Sequence, residues 1–413
     1  MNKARQLSGF TQIIAATIAA GIAGYLVIWL VYRQAGAADY KVFAVFWAAL
    51  YLVVGGLSGI QQEVTRATFR IEPGTRHRAS RARNFAAVVA VGVFVLAIGS
   101  SPLWSSAVFP GHGFSLVVPL AVGAASYVLV AVLAGSLYGI TEWRSVALMV
   151  AVDALLRLAL VGGATVLTHD LVVLAWVVAL PFPLAVMVLW PAIRPGFVGR
   201  TDIQGSYRAL SWNVGRTVVA SVSMSAAVSG LPLLLGLAGS GVDDALLGDL
   251  IFAITLTRAP LIVTLMSLQS YLLVRFRDHP GGVARILAVL AGALVLGGGV
   301  LSALGWWLGP AVFGILKGHG FPLDGSLIAI MVVSSVLVAG LTVTGTLVLA
   351  RNNHFVYSAG WLVTAVATLV VLFWPAAFLP RVAIALVAGP IAGLLVHVCW
   401  IAASRFRTLP SAR

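Results

Sequence analysis

The sequence predicts an all-α, polytopic membrane protein: twelve transmembrane helices in two parallel six-helix repeats around a central cleft. Three observations carry this. Hydrophobic residues make up 61% of the 413 and charged residues only 9%, against about 25% charged in an ordinary soluble domain. The apolar residues fall in runs of about 20, the length at which a helix crosses the hydrocarbon of a bilayer. Two motifs also recur at one fixed offset in the two halves of the chain.

The runs place spans at 10–32, 40–62, 84–107, 115–138, 145–168, 171–191, 212–236, 249–274, 284–308, 326–350, 354–374 and 382–403. The first follows the basic start "MNKARQ" and is longer than the apolar region of a secretory signal, so it reads as a membrane helix. The second ends in "GIQQEVTRATFR", where Gln62, Arg66 and Arg70 share one face at a spacing of four. A "GHGF" turn divides the third span from the fourth, and "HD" alone divides the fifth from the sixth. The seventh is rich in serine: Ser221, Ser223, Ser225 and Ser229 suit either close helix packing or a polar path. The eighth contains "TRAP", in which Pro260 removes a backbone donor and predicts a kink beside Arg258.

Orientation follows from the basic residues. With the N-terminus in the cytoplasm, inside segments hold 20 of the 26 Lys and Arg, and outside segments hold four: Arg33, Lys41, Lys317 and Arg381. This asymmetry puts both termini in the cytoplasm and the chain in the inner (cytoplasmic) membrane. It also accounts for the net charge of +14 without nucleic acid as a partner. The single cysteine, Cys399, excludes an intramolecular disulfide and any multi-cysteine metal site. No ligand spacing links the histidines, and no Walker, GxSxG or HExxH motif is present, so no catalytic residue, cofactor or metal is expected.

"FRIEPGTRHR" at 69–78 matches "FRDHPGGVAR" at 276–285, and "GHGF" at 111–114 matches "GHGF" at 318–321, both at an offset of 207. Gln62 and Gln269 share the offset, as do Arg144 and Arg351. The expected halves are therefore 1–207 and 208–413. Six spans per half return the chain to the same side, so the repeats are parallel, about an axis along the membrane normal. The glycines of GHGF supply turn geometry, the simpler role for His112 and His319, the other being contact with a polar substrate.

The costly residues are those inside the spans. "VDALLRLAL", 152–160, carries Asp153 and Arg157 four residues apart on one face. Each charge costs roughly 2.5–3.5 kcal/mol at the centre of a helix by insertion scales. Two readings stand: a neutralised pair that locks helices together, or an arginine offered to an anion and oriented by the aspartate. Arg258 carries the same choice, between a structural or snorkelling arginine and an anion ligand. At the 207 offset Asp153 meets Gly360, Arg157 meets Thr364 and Arg258 meets Tyr51. A charge needed to fold each half should appear twice, and these do not, which favours function.

Two six-helix halves, the "LLRLAL" of the fifth span, the "TRAPLIVTLMSLQSYLLVRF" of the eighth and the absence of large loops resemble the multidrug/oligosaccharidyl-lipid/polysaccharide (MOP) exporter superfamily, in particular its polysaccharide-biosynthesis flippase branch. The resemblance covers essentially the whole chain. It implies export of a lipid-linked (polyprenyl-diphosphate) oligosaccharide by alternating access, with membrane lipid and cytoplasmic glycosyltransferases as further partners. On it Arg157 and Arg258, with Asp153, bind the anionic head group, and Gln62, Arg66 and Arg216 form the cytoplasmic entrance to the cleft. The first span lacks the acid that drug-exporting relatives use for cation coupling, which weakens the alternative of a drug or metabolite cation antiporter. A membrane-embedded polymerase or ligase is a further alternative, although the outer acids (Asp39, Asp170, Asp243, Asp244, Asp249 and Asp324) sit in or beside short connections. A non-transporting scaffold is the last.

Overall fold

The computed structural model describes residues 3–70, 81–198, 201–203, 206–278, 282–318, 320–351 and 353–406. The loop 71–80, His319, and the side chains of Pro260 and Gln269, with the kink expected at Pro260, lie outside the described residues.

The elements are α1 (Lys3–Ala67), β1 (Thr68–Arg70), α2 (Arg81–Ser100), α3 (Ser105–Val108), α4 (Gly113–Gly139), α5 (Trp143–Leu167), α6 (Leu171–Ala179), α7 (Pro181–Phe197), β2 (Thr201–Ile203), α8 (Tyr207–Ser229), α9 (Leu231–Ala238), α10 (Asp244–Asp278), α11 (Val283–Lys317), α12 (Gly325–Ala350), α13 (His354–Leu372) and α14 (Phe378–Phe406). Among the described residues nine helices are long and apolar enough to cross a membrane, and up to ten if the bent pair Tyr207–Ala226 and Leu231–Ala238 is one span. The chain is an all-α, multi-pass membrane protein.

Three local features differ from the sequence reading. No loop separates the first two expected spans: α1 carries both, and the chain bends at Gly36 (φ 83°, ψ 168°), a conformation that only glycine adopts without strain. The third expected span stops as α-helix at Ser100, where Pro102 enters a 3₁₀ turn over Ser101–Leu103 before α3. The sixth is two helices, because Pro181 has no N–H to continue α6 into α7. Between α5 and α6, Asp170 caps α6 by accepting from the amides of Val172 (2.7 Å) and Val173 (3.4 Å), so the "HD" connection is a built turn.

The chain forms two compact units, Met1–Leu237 and Ala238–Arg413. In the first, α1 packs along α4, α5 and α8. Contact between α1 and α8 depends on the "GGLSG" stretch of α1: a Cβ on Gly59 would stand 2.7 Å from the backbone of Thr217 and Val218, and one on Gly56 2.6 Å from Val222. Ser225 Oγ donates to the carbonyl oxygens of Leu52 (3.1 Å) and Tyr51 (3.3 Å), the packing use of the serine-rich helix. β1 and β2 pair antiparallel, with Thr68 opposite Ile203 and Arg70 opposite Thr201. The ribbon ties the end of α1 to the approach of α8. Beside it lies a core cluster of Ile60, Val64, Phe85, Val128, Leu210 and Val214, among others. In the second unit α12 packs against α10, α11 and α14, and α13 against α14, around a cluster that includes Leu272, Phe276, Ala339, Val343 and Leu347. The GHGF turns carry left-handed glycines, Gly111 (φ 78°) and Gly113 (φ 38°) in one and Gly318 (φ 91°) in the other. His112 is half-buried, with Nδ1 3.2 Å from its own turn's Pro110 carbonyl oxygen.

Gly59→Ala drives a methyl into the α8 backbone, whereas a Cβ on Gly92 meets nothing within 4 Å. Gly59→Ala is expected to destabilise the protein by about 1–3 kcal/mol and to lower the thermal midpoint in detergent. Gly92→Ala is expected to leave the midpoint level or raise it. Equal midpoints for the two variants would show that α1 and α8 do not pack this closely.

Candidate functional site

The first unit contains a cavity of about 330 Å³ walled by α1, α4, α5 and α7. Its lining is mostly apolar, and its polar atoms come from Tyr51, Tyr127, Tyr138, Gln61, Asp153 and Arg157. Asp153 and Arg157 reach it from the middle of α5, where the spacing of four stacks them on one face. Arg157 is 6% exposed. Its Nη1 and Nη2 donate to Asp153 Oδ2 (2.8 Å) and Oδ1 (2.9 Å), a bidentate fork, and its Nε donates to the Val178 carbonyl oxygen of α6 (3.3 Å). The guanidinium carbon lies 4.8 Å from the ring centroid of Phe182 on α7 and 5.7 Å from that of Tyr51 on α1, within the range of cation–π attraction. Arg157 therefore binds α5 to three other helices of its own unit. Asp153 spends both oxygens on it.

Arg258 lies in the second unit. It is 8% exposed on α10. Its Nη2 donates to Ser334 Oγ of α12 (3.2 Å), and its Nε has no hydrogen-bond partner among the described residues. No carboxylate pairs with it among the described residues. A buried guanidinium with one neutral partner differs from Arg157, whose charge is matched where it sits.

The residues expected at the entrance come together at one end of the first unit. Gly55 faces Ser225 and Gly59 faces Thr217, so α1 and α8 run antiparallel. Gln62 and Arg66, near the end of α1, thus lie toward the start of α8, which carries Arg216. All three are exposed. Arg66 donates to Glu63 through Nε (3.0 Å) and Nη2 (2.5 Å), and Glu63 is 7% exposed. Arg66 is thereby tied to its own helix by an acid that the spacing of Gln62, Arg66 and Arg70 did not bring in.

Two polar centres of the second unit escaped the sequence reading. Lys317 Nζ donates to Asp249 Oδ2 at 2.6 Å, with Asp249 1% exposed. The two lie 68 residues apart, and nothing local in the sequence links them. His397, fully buried on α14, has Nδ1 3.1 Å from Thr344 Oγ1 and Nε2 3.4 Å from the Tyr357 carbonyl oxygen. Its imidazole fills the space left by Gly360, where a Cβ would collide with Nε2. A histidine inside the apolar run "LLVHVCW" was the available signal.

Asp153→Asn leaves Arg157 buried without a counter-charge. It is expected to cost about 3 kcal/mol of stability, the low end for a broken buried pair, because the Asp153 side chain keeps 24% of its surface exposed. The double variant D153N/R157Q is expected to be less destabilised than the sum of the single variants, read as thermal or denaturant midpoints in detergent. Additive losses would show that the two do not act as a pair.

No family model matches the chain. "Uncharacterized protein Rv1510" of Mycobacterium tuberculosis H37Rv is 32% identical over 395 residues, covering 94% of this chain and 90% of that protein. "Uncharacterized protein Rv3630" of the same strain is 30% identical over 395 residues with the same coverage. Among solved structures, an inward-facing multidrug resistance MATE family transporter of the MOP superfamily superposes with a TM-score of 0.68 at 16% identity, over 98% of this chain and 99% of that one. Lipid II flippase MurJ, in an inward closed conformation, superposes with a TM-score of 0.68 at 12% identity, over 94% of this chain and 87% of that one. The chain belongs to the family of Rv1510 and Rv3630, and its fold is that of the MOP-superfamily transporters.

Proposed function

We propose that the protein is a membrane transporter that moves an anionic, lipid-linked sugar, of the polyprenyl-diphosphate oligosaccharide class, across the cytoplasmic membrane for cell-surface polysaccharide synthesis. The observation that carries this reading is Arg258. A guanidinium buried on α10 that, among the described residues, has Ser334 Oγ as its one partner and Nε unmatched is costly unless an anion completes it. A diphosphate offers oxygens that fit the guanidinium fork. Arg157 is the weaker ligand, because Asp153 already neutralises it. It serves to hold the cavity wall and its aromatic lining in place. Gln62, Arg66 and Arg216 form an exposed polar rim that an anionic head group meets first. The likeness of the fold to a lipid II flippase supports the reading, as does its likeness to transporters in general.

One observation favours a second reading. The cavity of the first unit is lined by three tyrosines and by Asp153, a setting that suits an aromatic or cationic small molecule. On that reading the protein is a drug or metabolite antiporter.

Liposomes carrying the purified protein separate the two. A fluorescent polyprenyl-diphosphate sugar is expected to change leaflet in wild-type vesicles, and an organic cation such as ethidium is not. Arg258→Gln is expected to lower the translocation rate at least tenfold. Arg258→Lys, which keeps charge without the fork, is expected to fall between. Ethidium movement without sugar-lipid movement would establish the second reading, and a wild-type rate in folded Arg258→Gln would remove Arg258 from the site.

A further inference from the structure

A second, larger cavity opens at the ribbon end of the first unit, away from the Asp153–Arg157 site. Its volume is about 620 Å³, and its walls are α2, α4, α7 and the β1–β2 ribbon. Leu129, Leu133, Val186 and Trp190 make its body apolar. Trp190 stands 37% exposed and packs edge-on against Phe197 at 6.3 Å between ring centroids. Two of the helices that wall it also present exposed apolar side chains, Val88 on α2 and Met187 on α7, as lipid-facing helices do.

Two cations stand at this greasy groove. Arg83 lies in the first turn of α2 and Arg194 in the last turn of α7, and both line the cavity. Both are exposed, and neither makes a hydrogen bond or ion pair among the described residues. The acid nearby is Asp202 of the ribbon, whose Oδ1 accepts from the Ile203 amide at 2.8 Å. The first turn of α2 contains no acid, so Arg83 adds positive charge to the positive end of a helix dipole. An anion bound there would offset both. Basic pockets between helices at the cytoplasmic face are sites for anionic lipid head groups.

We propose that this groove holds an anionic glycerophospholipid, with its phosphate on Arg83 and Arg194 and an acyl chain along α2 and α7. The combination of an apolar body, an aromatic rim and, at one end, two cations unmatched among the described residues fits an amphiphile. A free phosphate would use the cations and leave the apolar body unexplained. The site is separate from the transport site proposed above, and it stands or falls without it.

Lipid retention on the purified full-length protein tests this. The protein is equilibrated in mixed micelles with equal amounts of phosphatidylglycerol and phosphatidylcholine, and bound lipid is counted by native mass spectrometry. Wild type is expected to retain phosphatidylglycerol preferentially. Arg83→Gln and Arg194→Gln are each expected to weaken that preference about fivefold, the fold-change that corresponds to about 1 kcal/mol per basic residue near an anionic surface. Their double variant is expected to abolish it, while Arg144→Gln, an exposed arginine at the start of α5, leaves it unchanged. A second measurement needs no variant: phosphatidylglycerol with a photoreactive acyl chain is expected to label peptides from 81–100 and 181–197. Equal retention of the two lipids by wild type overturns the proposal. So does an unchanged preference in the folded double variant, labelling confined to other helices, a polyprenyl lipid as the retained species, or displacement of the lipid by inorganic phosphate alone.

Discussion

The first unit is organised around one guanidinium. A charge in the middle of a membrane helix is tolerated only when its donors and its charge are matched locally. Arg157 meets that condition with groups from four helices: Asp153 on its own α5, the Val178 carbonyl on α6, the Phe182 ring on α7 and the Tyr51 ring on α1. Each partner constrains a helix position. The Val178 carbonyl lies in the last turn of α6, at the break before α7, where Arg157 Nε reaches it. The aromatic faces are set by α1 and α7, whose approach to α5 also creates the cavity. The same four contacts that neutralise the charge thus shape the space beside it.

Much of this was legible in the sequence. Composition and run length give a polytopic all-α membrane protein, and the spacing of four between Asp153 and Arg157 gives their pairing. The intramembrane arginines were visible as the expensive residues. What was not legible depends on contacts distant in sequence. Nothing near Asp249 announces Lys317, 68 residues on, and nothing near Gly360 announces His397. The ribbon of β1 and β2 is three residues a side, too short for an alternating pattern to show. The unit boundary at Leu237/Ala238 also follows from packing: α8, which lies beyond residue 207 but for its first residue, falls in the first compact unit because the glycines of α1 accept it.

The repeat sharpens what the two arginines mean. At the offset of 207, Asp153 corresponds to Gly360 and Arg157 to Thr364, and the second half at first looks as if it dispenses with polarity there. The structure shows otherwise. Gly360 leaves room for the His397 imidazole, which is held by Thr344 and the Tyr357 carbonyl. Thr364 turns its hydroxyl onto the Gly360 carbonyl oxygen at 2.9 Å, and a Cβ on Gly393 would collide with that hydroxyl. Both places that the 207-residue offset pairs therefore hold a buried polar tie, an ion pair in one and a histidine–hydroxyl cluster in the other. A tie that can be made with or without charge is first of all a packing device, and this moves Arg157 toward holding the cavity wall.

Arg258 has no such counterpart. Its equivalent position is Tyr51, whose ring faces Arg157, and its own partner is a neutral hydroxyl. An arginine that is buried, that pairs with no acid among the described residues and that meets Tyr51 at the 207-residue offset is not explained by what the scaffold requires. The physical asymmetry is the ground for the proposed function: Arg157 has its counter-charge on its own helix, whereas Arg258 has none among the described residues. On the function proposed above, an anionic head group would supply that counterpart, and the cost of burying Arg258 would be offset when the ligand binds.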